Sequence, residues 1–194
     1  YPTRGYVSAS HPVQIDMHAA VAEVCGLEPE QVVVGVDGCG VAVFGMPVAN
    51  MAYAYARLSE PDTMPDRFRE AADRVRAAMT EHPVMVGGDG DFATRLVQAL
   101  PGEVLAKGGA EGLLCFALPG RGVGACVKME DGSARALPVA VAEVLRQLGL
   151  VDGGDDEVLS TAPPIRNHRR ETVGYMQPYF HLQAMNSSLL AEGS

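Results

Sequence analysis

The chain has 194 residues, 47% of them hydrophobic and 20% charged, and its 22 glycines are scattered over turn positions, which excludes a disordered or low-complexity protein and leaves enough apolar material for a real core. A net charge of −9, with no basic group denser than Arg166, Arg169 and Arg170, argues against a nucleic-acid partner or an anionic membrane surface. No apolar run is long enough to span a bilayer and no charged-then-apolar segment opens the sequence, so a soluble, cytoplasmic protein without a membrane partner is expected.

Tyr1 to Ser10 is polar and turn-rich and reads as a connection. A helix is predicted from Pro12, a favourable first helical position, to a stop at Gly26, with Met17, Val21 and Val24 as its apolar stripe and His11 as a local cap. Two apolar runs, Val32–Val36 and Val41–Phe44, then flank Asp37-Gly38-Cys39-Gly40 and read as strand, tight turn, strand. Helices follow from Pro47 to Leu58 (Val48, Met51, Tyr55 and Leu58 inward), from Asp66 to Thr80 (Phe68, Ala72, Val75 and Met79 inward), and from Asp91 to Leu100. Val84 to Gly90 is expected as a glycine-rich loop, but it lacks a Walker lysine, and Asp89 and Asp91 would repel phosphate, so a nucleotide site is excluded.

Val104 and Leu105 give a short strand, and Leu113–Leu118 and Val123–Met129 form a hairpin around Pro119-Gly120-Arg121-Gly122, with Cys115 and Cys126 as core residues. A helix from Leu137 to Leu148, an acidic loop at Val151–Glu157, an extended Pro163-Pro164 and a last strand within Glu171–Leu182 complete the order. Short connections between strands favour antiparallel pairing, so the expected class is α+β, an antiparallel sheet flanked by helices in a single domain over 1–194, with 186–194 as a frayed tail.

Two stretches can carry chemistry. Asp37 and Cys39, two residues apart, can point to one side of an extended turn, with Gly38 and Gly40 admitting a ligand; alternatively Asp-Gly is only a hairpin turn and Cys39 a small hydrophobe. Lys107 stands before Gly108 and Gly109 at a strand edge, where its amine can act as a general base or remain an ordinary surface lysine. The four cysteines Cys25, Cys39, Cys115 and Cys126 contain no C-x-x-C pair, so spacing alone defines neither a disulfide framework nor a zinc motif.

Taken together, VDGCGVAVFGMPVANMAYAYARL and LPGEVLAKGGAEGLLCFALPGRGVGACVKMEDG, with HPVQ near the start and PPIRNHRRETVG near the end, resemble the asparaginase II family, the thermolabile bacterial L-asparaginases. The resemblance implies a fold related to the serine β-lactamases and penicillin-binding proteins, and hydrolysis of L-asparagine to L-aspartate and ammonia by a lysine-activated serine. By position, Lys107 would pair with the catalytic serine, Asp37 would bind substrate or polarise the site, Gly108 and Gly109 would adjoin the substrate, and Cys39 would be one ligand of a zinc ion. The family's Ser-x-x-Lys and Cys-Ser-Gly-Lys motifs do not occur in this sequence. The resemblance therefore implies the C-terminal majority of such an enzyme, inactive alone, with the remaining zinc ligands elsewhere and association with a missing N-terminal segment, or a homodimer. The alternatives are a non-catalytic small-molecule-binding or dimerising remnant of the fold, or another β-lactamase-like amidase.

Overall fold

The structure, a computed structural model, describes residues 1–152 and 158–184. It divides into two compact units, one over Tyr1–Ser133 and a second beginning at Ala134. The class is α+β with antiparallel pairing throughout, but the described strands fall into three small sheets rather than one. Each strand bonds only to hairpin neighbours: β1 (Val33–Val36) with β2 (Ala42–Gly45), β3 (Leu105–Gly109) with β4 (Leu113–Leu118) and β4 with β5 (Val123–Lys128), β6 (Pro164–Arg166) with β7 (Thr172–Tyr175). The helices between β2 and β3 separate the first hairpin from the three-stranded sheet in sequence.

In the first unit, α1 (Pro12–Cys25) begins where Pro12 presets the backbone and the His11 ring accepts a bond from Val13 N at 3.2 Å. It stops at Gly26, whose φ of +70° makes the left-handed cap that a side chain disfavours. The buried face runs Gln14, Ala22, Cys25, and not through Met17, which lies exposed. The helix is thus turned from the expected stripe, with Gln14 held inward by its bond to Tyr6 O. From α2 (Val48–Ser59), Arg57 reaches the last carbonyls of α1 with Nη1 at 2.8 Å from Glu23 O and 3.1 Å from Val24 O, so one cation caps a neighbouring helix's negative end.

After two one-turn 3₁₀ helices, α3 (Arg69–Glu81) buries Ala72, whereas Val75, expected inward, is exposed. The expected loop at Val84–Gly90 instead opens as a short helix, α4 (Pro83–Gly87), started by Pro83. Gly87 is required there: a Cβ would lie 2.6 Å from Thr94 Oγ1 and 2.8 Å from Asp91 Oδ1, the latter being the cap of α5 (Phe92–Ala99).

The three-stranded sheet is the core of this unit. β4 is buried along nearly its whole length, so both its faces are covered, as its unbroken apolar run requires. Residues directly opposite share a face. One face of β4 therefore carries Leu114, Phe116 and Leu118, all buried; the other carries Cys115 and Ala117 opposite Cys126 and Gly124 of β5. Helix α2 lies on this second, small-residue face. A Cβ on Gly124 would sit 2.1 Å from Ala56 N and 2.2 Å from Ala52 O, so helix backbone and strand backbone meet there without any side chain between them.

In the second unit, α6 (Leu137–Gln147) buries Val141, Val144 and Leu145 as expected. Hairpin β6–β7 turns at Asn167, whose Oδ1 accepts from Arg169 N and Glu171 N; the last strand is limited to Thr172–Tyr175 and ends before Pro178. Residues 153–157 of the acidic loop and the 186–194 tail lie outside the described residues.

On α6, the Glu143 carboxylate is buried and accepts Arg146 Nε at 2.8 Å, Arg146 Nη2 at 2.7 Å and Gln147 Nε2 at 2.6 Å. The Arg146 hydrogen bonds hold its pKa below the usual carboxylate value against the opposing effect of burial, helped by Gln147, the Arg146 charge and His181. A depressed folded value gives stability that is complete above the ordinary carboxylate range and lost as pH falls through the folded value. Urea midpoints of the wild type should therefore fall on acidification, and Glu143→Gln should lower the neutral-pH midpoint and flatten that fall. Parallel pH profiles for the two proteins would show that the carboxylate contributes nothing.

Candidate active site

Asp37 lies at the tip of the β1–β2 hairpin, as the sequence places it. Its Oδ1 accepts Cys39 N at 2.9 Å and Val41 N at 3.1 Å, and its backbone closes the turn through Asp37 N to Val41 O and Gly40 N to Asp37 O. Gly40 takes φ +75°, which this turn needs and a side chain would strain. One carboxylate oxygen thus holds the turn, while Oδ2 of this exposed residue, without a hydrogen-bond partner among the described residues, can accept a bond from a ligand. Cys39 is exposed and unpaired, not the buried small hydrophobe that is its alternative reading. Removing the carboxylate with Asp37→Ala should weaken the turn locally by about 1 kcal/mol. Hydrogen exchange should then speed up at the Cys39 and Val41 amides and not at Phe116; unchanged exchange at both amides would show that the bonds are not formed in solution.

Lys107 sits on β3, the sheet edge opposite β5, in register with Cys115. Its ammonium is exposed and donates to Gly108 O at 2.6 Å. A Cβ on Gly108 would meet nothing within 4 Å, so open space adjoins the backbone there, whereas one on Gly109 would meet Leu113 at 2.9 Å. Gly108 thus offers approach, and Gly109 is bound to packing. No hydrogen bond or ion pair joins Lys107 to Asp37, and no described serine or threonine is hydrogen-bonded to Lys107.

Zinc needs about four nitrogen, sulfur or oxygen donors. Among the described residues no group of three His, Cys, Asp or Glu side chains is gathered to hold a metal, and Oδ1 of the nearest acid in sequence, Asp37, is engaged by the turn. The residues present at Cys39 therefore do not make a zinc site by themselves.

One arrangement escaped the sequence reading, which took Cys115 and Cys126 as separate core residues. They face one another across β4 and β5. Cys126 Sγ lies 4.0 Å from Met51 Sδ on α2, and burial, joined by the two thiols, pushes the Tyr55 phenol one helical turn away well above its ordinary value. The signal was available: Cys115 stands three residues before Leu118 and Cys126 three after Val123, so a hairpin closed by 119–122 pairs them. Carrying the register across β3 puts Lys107, Cys115 and Cys126 in one row.

A family model described as L-asparaginase II matches residues 1–178 of the chain. No curated protein matches it.

Proposed function

The chain belongs to the L-asparaginase II family, and from that premise we propose that it serves the hydrolysis of the side-chain amide of L-asparagine, with Lys107 as base. The family match over residues 1–178 is the observation that carries this reading; it is supported by an exposed amine beside open space at Gly108 and by a carboxylate oxygen of Asp37 with no hydrogen-bond partner among the described residues. In the proposed reaction a serine hydroxyl attacks the amide carbon while Lys107 takes its proton. The proton passes to the departing ammonia, and water then releases L-aspartate from the acyl ester. Asp37 and Gly108 would hold the substrate, the carboxylate by its charge and the glycine by admitting close approach.

The reading assigns the hydroxyl to polypeptide outside residues 1–152 and 158–184, because none of the described hydroxyls bonds to Lys107. In the same proposal a further segment or a second copy supplies that hydroxyl and completes the site, so this chain alone turns over little or no substrate. A relation to the serine β-lactamase fold is part of the same proposal, supported by α2 lying across an antiparallel sheet. The test is ammonia release from L-asparagine by this chain and by the product of the full reading frame. Activity in the longer protein supports the proposal; none in either overturns it. A second reading, a module that binds a small amide without cleaving it, is favoured by the absence of a hydroxyl bonded to Lys107 among the described residues, and calorimetric binding of L-asparagine without ammonia release would establish it.

A further inference from the structure

We propose that Cys115 and Cys126 form a reversible disulfide across β4 and β5, which makes the pair an oxidation site of the folded protein, independent of the amidase reading. The register places them directly opposite, and the ladder is antiparallel on both sides of the pair, from Leu113↔Lys128 to Leu118↔Val123. Directly opposite residues have Cα atoms about 4.5 or 5.5 Å apart, and both spacings fall within the roughly 4.4–6.8 Å that a disulfide bridges. Both side chains leave the sheet on the face that α2 covers, where Cys126 Sγ lies 4.0 Å from Met51 Sδ. Neither strand has to move along its axis to join them.

The two thiols are unequal. Cys115 is buried, whereas Cys126 is half-buried and so the more accessible of the two, and the neighbouring thiols push their pKa values apart, Cys126 downward and Cys115, with its burial, upward. Cys126 is therefore the attacking sulfur. Its thiolate displaces one thiolate from a small disulfide such as oxidised glutathione, giving a mixed disulfide on Cys126. The Cys115 thiol gives its proton to the released thiolate and attacks the Cys126 sulfur, expelling the second. Two protein thiols lose two electrons in all, and one small disulfide becomes two thiols.

The experiment treats the folded protein with oxidised glutathione, blocks remaining thiols by alkylation, and maps tryptic peptides without reduction. Cleavage after Lys107, Arg121 and Lys128 separates a peptide 108–121 carrying Cys115 from a peptide 122–128 carrying Cys126. The expected product is these two peptides joined, two hydrogens lighter than the separate thiols, accounting for most of both and parted by reduction. Cys126→Ala should abolish the linked species and leave Cys115 a free thiol. The wild-type map needs no variant to fold, and unchanged far-ultraviolet circular dichroism during treatment shows that the native protein reacted. A persistent glutathione adduct on Cys126, linkage of Cys115 to Cys25, linkage only in denaturant, or recovery of both cysteines fully alkylated would each overturn the proposal.

Discussion

Gly124→Val should destabilise the first unit by about 3 kcal/mol or more, because the new side chain has nowhere to go. Its Cβ alone would stand 2.1 and 2.2 Å from backbone atoms of α2, and 2.7 Å from the Tyr55 carbonyl carbon. Backbone of a packed helix cannot yield as the end of a flexible side chain can. The helix must lift from β5, and Met51 and Tyr55 lose their seat over the Cys115–Cys126 pair. In a protein of this size such a loss lowers Tm by roughly 6–12 °C. Gly174→Ala is the matched control, since a Cβ there meets nothing within 4 Å and the backbone φ is not positive; its Tm should hold or rise. Equal melting of both variants and wild type would mean that α2 does not contact β5 in solution.

The second large effect is on chemistry. Under the amidase reading, Lys107→Met in the full-reading-frame protein should lower turnover by about 10²- to 10⁴-fold, the range that a positioned base contributes. The same variant should change stability by less than about 0.5 kcal/mol, because the ammonium is exposed and bonds only to the carbonyl of its own neighbour. That combination separates a catalytic role from a structural one. Wild-type turnover would remove Lys107 from the mechanism, and a turnover loss matched by unfolding would assign it to the fold.

Most elements were legible because their signals are local. Pro12 and Gly26 bracket α1, and the apolar runs around Pro119–Gly122 fix the β4–β5 hairpin almost to the residue. Helical phase was harder to read. Val75 and Met17 fit an apolar stripe yet lie exposed, because the face a helix buries is chosen by what crosses it: Gln14 turns inward to meet Tyr6 O, and no apolar scale anticipates that bond. The α4 turn was hidden by the glycines at its end, of which Gly87 is required by a contact with Asp91 and Thr94 several residues away. For the candidate site, Asp37, Cys39 and Lys107 could be named from motif and resemblance, and the hairpin tip and strand edge stand where expected. Which of them share one space depends on how separate sheets are arranged, and no spacing in the sequence encodes it. The cross-strand pairing of Cys115 and Cys126 follows from turn length alone.

The β1–β2 hairpin has a further consequence. All four residues of β1 are exposed, and the ties from the hairpin to the rest of its unit include Ala42 N to Val7 O and the His18 ring against Phe44. A two-stranded ribbon with so little cover opens by local fluctuation at a cost below that of global unfolding. Asp37 and Cys39 should therefore lose their order at denaturant concentrations that leave β4, and Lys107 beside it, intact. Ligand affinity that depends on Asp37 would then fade before any loss of compactness is detected, and a binding curve followed against urea would register the hairpin's own melting rather than the protein's.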